Sequence, residues 1–239
     1  MTRPDLPRVL LPGGAEAIAY CERLLGTPQV RVGPFRIFMC PNYHVLLQRI
    51  NYPARRRGDG HKLQHYARYL GCATSDIDVP RLRLLPVAEA EALGEARRHQ
   101  LEVDNFVMLC PESYSARGPG RPFWQRLAQA LRARGCDVYV NATRPDTWPR
   151  EAGHTFELGV AAVCALAGRA RRIIALRSGL TELLAQSGVP LDVLYGSLPR
   201  PAHSLFLFPH VAAGQLREYD LRELGAERCL QLLLERPLP

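Results

Sequence analysis

From about residue 105 onward the chain alternates short apolar runs with helical segments, and this alternation limits the possible folds more than any other feature. NFVMLCP, CDVYVNA, RRIIAL and VPLDVLYG are apolar runs of strand length, bounded by Gly, Pro, Asn and charged residues. Between them lie FWQRLAQALRARG, FELGVAAVCALAGRA and GLTELLAQSG, with helical spacing and a glycine at or near each end. Strands that are apolar on both faces and separated by helices of about 10 to 15 residues make βαβ units, hence a parallel sheet. The expected class is therefore α/β. Right-handed crossovers bring every loop that follows a strand to one edge of such a sheet, and ligands bind along that edge.

The first hundred residues are less regular. RVLLP, then Gly13 and Gly14, then AEAIAYCERLLG read as strand, turn and helix, and the runs QVRV and FRIFMC follow. YHVLLQRI and HKLQHYARYLGC have helical periodicity on either side of the polar loop PARRRGDG. IDVPRLRLLP carries two prolines and reads as a crossing between units, and EAEALGEARRHQ as a helix leading out of it. The pattern divides the chain into a less regular stretch over 1–104, a regularly alternating α/β stretch over 105–200, and a terminal segment over 201–239. The helix LRELGAERCLQLLLE in that last segment is expected to pack back on the first unit.

Composition narrows the function. With 47% hydrophobic and 23% charged residues among 239, a substantial core is expected. The start MTRPDLPRVLLPGGAEA reaches acidic and glycine positions before any adequate apolar run, so no secretory signal and a cytoplasmic location are expected. The seven cysteines stand singly, with no CxxC pair and no zinc-ligand spacing, and are expected to be reduced core residues. The net charge of +8 invites a nucleic-acid reading. Yet Lys62 is the sole lysine, the arginines are dispersed apart from Arg55, Arg56 and Arg57, and no RNA- or DNA-binding motif accompanies them. A cleft for a phosphorylated donor, or peripheral contact with an anionic membrane surface, accounts for the charge equally well, so no nucleic-acid partner is expected.

Three loops at the shared edge suit a diphosphate. CPESYSARGPG offers Ser113, Ser115 and Arg117; VNATRPDTW offers Asn141; and LRSG offers Arg177, Ser178 and Gly179. At LRSG a buried strand turns into a helix, whose first N–H groups lack partners and carry partial positive charge. An arginine adds a fixed cation suited to phosphate. The alternative at this turn is structural: Ser178 caps the helix and Arg177 is solvated or pairs with a carboxylate. No DxD-type carboxylate pair occurs in these loops, so neither metal nor other cofactor is expected. His154, Phe156 and Glu157 read as the opening of the helix before the LRSG strand, and as candidates to line a base pocket.

The order of FW at 123 and 124, VYVN at 138–141 and ALRSGLTELL at 175–184 resembles the carboxyl-terminal half of a bacterial GT-B-fold glycosyltransferase-like family. That family, of the glycosyltransferase family 9 type, is distantly similar to the heptosyltransferases. The resemblance spans 105–200 and implies two Rossmann-like halves, the first abbreviated over 1–104 and the second over 105–200, with a nucleotide-sugar donor held near Ser113, Ser115 and Arg177 to Gly179. It implies that Glu182 reaches ribose or sugar hydroxyls, where the alternative is a solvated carboxylate favouring the helix N-terminus, and that the acceptor is a cell-surface glycan or lipopolysaccharide-type glycolipid. Where heptosyltransferases carry Asp-Thr-Gly and a following His, this chain has Arg177-Ser178-Gly179, which leaves the sugar undetermined. An acceptor hydroxyl needs a base from the first half, for which Asp59 and His61, with His44 behind them, are the candidates. A metal-independent glycosyltransferase is the first reading. A non-catalytic GT-B relative that binds a nucleotide or glycan is the second, and an arginine-rich nucleic-acid binder the last.

Overall fold

The apolar runs do form a parallel sheet, and it is larger than the sequence pattern announced. The computed structural model describes residues 30–32, 35–37, 84, 86–113, 116–198, 200–207, 211 and 214–237. The chain divides into two units: Met1–Arg81 with Pro201–Pro209, and Leu82–Arg200 with His210–Pro239. Of the first unit's strands the described residues include β1 (Val30–Val32) and β2 (Phe35–Ile37), paired antiparallel with Val30 opposite Ile37. They fall within the runs QVRV and FRIFMC.

The second unit opens with helix α1 (Pro86–Arg98) and continues β3 (Phe106–Cys110), α2 (Arg121–Arg132), β4 (Asp137–Asn141), β5 (His154–Phe156) and α3 (Val160–Ala167). There follow β6 (Arg172–Leu176), α4 (Gly179–Leu184), β7 (Leu191–Tyr195), β8 (Leu216–Asp220) and α5 (Leu221–Glu235), the last broken at Gly225. The sheet order is β5-β4-β3-β6-β7-β8, every pairing parallel. Counted along the chain this is the doubly wound Rossmann order 3-2-1-4-5-6, in which the winding reverses between the first and fourth strands.

One expectation needs correction, and one strand carried no signal in the sequence. His154, Phe156 and Glu157 do not open a helix: His154–Phe156 is strand β5, beside Tyr139 to Asn141, and α3 starts only at Val160. Its three residues were too few to show a period against the apolar helix that follows. LREYD (β8) was likewise unread, because its alternating charges mimic a loop while its backbone completes the sheet edge. Within the second unit the terminal helix α5 packs on α2 and β7, and α1 packs on α3.

Both faces of the sheet are buried, as a parallel sheet requires. On one face Val107, Leu109, Val138, Val140, Ile174, Leu176 and Leu194 meet Phe123, Trp124, Leu127 and Leu131 of α2 and Cys229, Leu230 and Leu233 of α5. The α2 positions recur at helical spacing, so one stripe enters the core while Arg126, Gln129 and Arg132 stay outside. On the other face Met108, Cys110, Tyr139, Ile173, Ala175 and Val193 are buried, and six of the eight residues of α3 are buried with them.

Cys110, Cys136, Cys164 and Cys229 are free and buried, as expected; Cys21, Cys40 and Cys72 lie outside the described residues. Burial pushes the Cys110 and Cys229 thiols up to about 12 and that of Cys164 to about 11. Below pH 9 both folded and unfolded chains keep these protons. As pH rises from about 9 toward 11, the unfolded chain releases protons the folded chain still holds. Each such thiol then lowers stability by about 1.4 kcal/mol per pH unit. The melting temperature should accordingly fall steeply between pH 9 and 11, and substituting Cys229 with Val should flatten that fall. An equally steep fall in the variant would remove Cys229 from the explanation.

Candidate functional site

The reversal between β3 and β6 places the loops after those two strands side by side at the carboxyl edge, the position where doubly wound sheets in general take their ligands. The loop after β3 carries Glu112, Ser113 and Arg117; the turn after β6 carries Arg177, Ser178 and Gly179. The topology therefore sets the loop of Ser113 and the turn of Arg177 at the ends of neighbouring parallel strands. Ser115, Asp59, His61, His44, Arg55 to Arg57, Gly13 and Gly14 lie outside the described residues.

Arg177 is not the open cation that the LRSG turn suggested. It is 2% exposed. Its Nη2 donates to Glu182 Oε1 at 2.7 Å, and its Nη1 to Thr181 Oγ1 at 3.0 Å and to the Ser178 carbonyl. The structural alternative holds for this side chain. Glu182 lies within reach because the first turn of α4 curls back over its own entry, so the pair closes locally. Glu182 is accordingly half-buried against Arg177 and not extended into solvent. Ser178 is the N-cap residue: its N–H donates to Thr181 Oγ1 at 3.3 Å, and that hydroxyl donates to the Ser178 carbonyl at 2.7 Å. Gly179 is exposed, and a β-carbon there would meet nothing within 4 Å, so the corner beside α4 is open.

In the loop after β3, Arg117 is exposed. Among the described residues no carboxylate pairs with its guanidinium, while its backbone is held on both sides. The Arg117 N–H donates to Ser197 Oγ at 2.8 Å, and the Ser197 N–H donates to the Arg117 carbonyl at 2.9 Å. Ser197 follows β7, so the loop from β3 crosses the end of β6 to reach the end of β7. Two glycines permit the crossing. A β-carbon on Gly196 would stand 1.7 Å from the Arg117 carbonyl oxygen, and one on Gly118 would stand 2.7 Å from Leu176 Cδ1.

The remaining candidates look inward or toward one another. Ser113 is half-buried and its hydroxyl accepts from the Ala116 N–H at 3.2 Å, which folds the start of the loop. Asn141 Oδ1 accepts from the Tyr139 hydroxyl at 3.2 Å, and its amide also touches the Cys110 thiol. Phe156 stacks between Tyr139 at 4.3 Å and His99 at 4.5 Å, so it fills a ring stack at the sheet edge.

Two contacts were missed from sequence. Glu112 Oε2 accepts from the Thr143 N–H at 2.9 Å and from Thr143 Oγ1 at 2.7 Å, tying the loops after β3 and β4. The Gly196-Ser197 seat is the other. A glycine directly after a strand signals close backbone approach, and LYGS carried that signal.

No family model matches the chain, and no curated protein matches it in sequence. Solved structures do match in shape. The glycosyl transferase family 9 structure from Veillonella parvula superposes with a TM-score of 0.52 at 12% identity, over 76% of this chain and 62% of that one. The Escherichia coli ADP-heptose lipopolysaccharide heptosyltransferase II gives 0.48 at 16%, over 70% and 61%. The E. coli heptosyltransferase with ADP gives 0.43 at 13%, over 73% and 55%. The chain thus spans less than two thirds of each of these structures. What it shares with the first is a fold: an α/β chain with a parallel, doubly wound sheet, similar to that of a family 9 glycosyltransferase.

Proposed function

We propose that the second unit binds the diphosphate of a nucleotide-activated sugar at the β3/β6 reversal, and that the protein transfers the sugar to a cell-surface glycan or lipopolysaccharide-type acceptor. The observation that carries this reading is the exposed Arg117, seated at the carboxyl edge beside the open corner of Gly179. A guanidinium presents planar, paired donors that match phosphate oxygens, and its charge also offsets the charge that grows on a departing diphosphate. Asp59 and His61 remain the proposed sources of the base that takes the acceptor proton, and no metal is assigned a role. Among the described residues no helix is long and apolar enough to cross a membrane.

Thermal melting with UDP-, GDP-, ADP- and CMP-sugars tests the reading. A donor at a hundred times its Kd adds about 2.7 kcal/mol of stability, a plainly measurable rise. Arg117→Ala should weaken that donor about tenfold or more while leaving the unliganded melting temperature in place, since the side chain is exposed. No response to any of the four sugars would end the donor proposal. A response without transfer or donor hydrolysis would select the non-catalytic binder, which shares the site.

A further inference from the structure

Resting on that reading of Arg117, we infer that Gly196 and Ser197 are positioning residues: the end of β7 holds the phosphate-binding loop in register with the β6–α4 corner. The loop after β3 crosses Leu176 at Gly118 and is then held by the reciprocal bonds between Arg117 and Ser197, at 2.8 and 2.9 Å. Both bonds use the Arg117 backbone, so they fix where the side chain starts without occupying its guanidinium. The seat depends on position 196 having no side chain, because the Arg117 carbonyl occupies the place a β-carbon would take. Neither residue touches the proposed ligand. Their effect passes through the placement of one cation, and a misplacement of about 1 Å is enough to weaken a pre-organised contact.

The test uses the full chain with inorganic pyrophosphate, the part of the donor Arg117 would hold, and with UDP and ADP as nucleoside diphosphates. Ser197→Ala removes the acceptor for the Arg117 N–H and should weaken pyrophosphate about fivefold to tenfold, the worth of one hydrogen bond that orders a charged contact. Ser197→Thr keeps the hydroxyl and should restore binding to within about twofold. Gly196→Ala must push the Arg117 carbonyl aside and should weaken binding further. In the double variant Arg117→Ala/Ser197→Ala the second change should add nothing, because it acts only through the first. Hydrogen exchange at the Arg117 amide should quicken in Ser197→Ala, which reports the seat without reference to any ligand.

The outcomes separate. If Arg117→Ala loses pyrophosphate but Ser197→Ala binds like the parent, the positioning role is wrong and the diphosphate site stands. If Ser197→Ala weakens binding equally with and without Arg117, the serine acts by another route and the inference falls. If Arg117→Ala binds pyrophosphate like the parent, the diphosphate reading fails and the positioning role fails with it, even where amide exchange confirms the seat.

Discussion

Asp192→Ala should be the most damaging single change in the second unit. Asp192 sits in β7, wholly buried, where it meets Arg172 Nε at 2.6 Å, Arg236 Nη1 at 2.7 Å and the Tyr219 hydroxyl at 3.1 Å. Arg172 is wholly buried as well; its Nη1 donates to the Leu233 carbonyl at 2.8 Å, while Nη2 has no partner among the described residues. Asp192 therefore supplies the counter-charge for a guanidinium that cannot reach water, and it ties β6, β7, β8 and the end of α5 together. Removing one partner of a buried pair costs about 3 to 5 kcal/mol, because the other charge is left uncompensated. For a domain of this size that corresponds to a fall of roughly 10 °C in melting temperature. The pair's net worth is a separate matter: replacing Arg172 and Asp192 together by Met and Leu should recover much of the loss. A single variant melting within 2 °C of the parent would refute the assignment.

Arg177→Ala should act on the fold before it acts on any ligand. The side chain is 3% exposed and its partner Glu182 is 30% exposed, so the loss strips α4 of the brace at its entry. The cost should be about 2 kcal/mol, below that for Asp192, because Glu182 reaches solvent and can be hydrated when left alone. Arg177→Lys should rescue little, since an ammonium cannot serve Glu182, Thr181 and the Ser178 carbonyl with the geometry of the fork. Donor binding in Arg177→Ala should weaken only as far as the α4 corner loosens, in contrast to Arg117→Ala, where binding falls and stability does not. An Arg177→Ala protein with the parent's melting temperature and no donor binding would reverse the two roles.

The contrast between these two arginines shows how far the letters reach. Both follow a strand at the same sheet edge, and both were read as candidates for a phosphate. Local sequence could place them in loops, because apolar runs and glycine stops mark the ends of strands and helices. It could not tell which guanidinium stays open. That depends on whether a carboxylate stands one helical turn away in space, as Glu182 does for Arg177, or whether the backbone alone is held, as Ser197 holds Arg117. Strands β5 and β8 escaped for a related reason. His154–Phe156 is too short to show a period, and Leu216–Asp220 reads as polar until it pairs with β7.

By itself the sequence determined the α/β class, the core strands β3, β4, β6 and β7, and the loops that meet at their carboxyl ends. These follow from apolar periodicity and from turn residues, which act over a few positions. The strand order, the docking of α5 on α2, the burial of Arg177 and the seat of Arg117 on Gly196 were decided only by the tertiary structure. Each of these depends on contacts between residues far apart in the chain, whose energies no local pattern encodes.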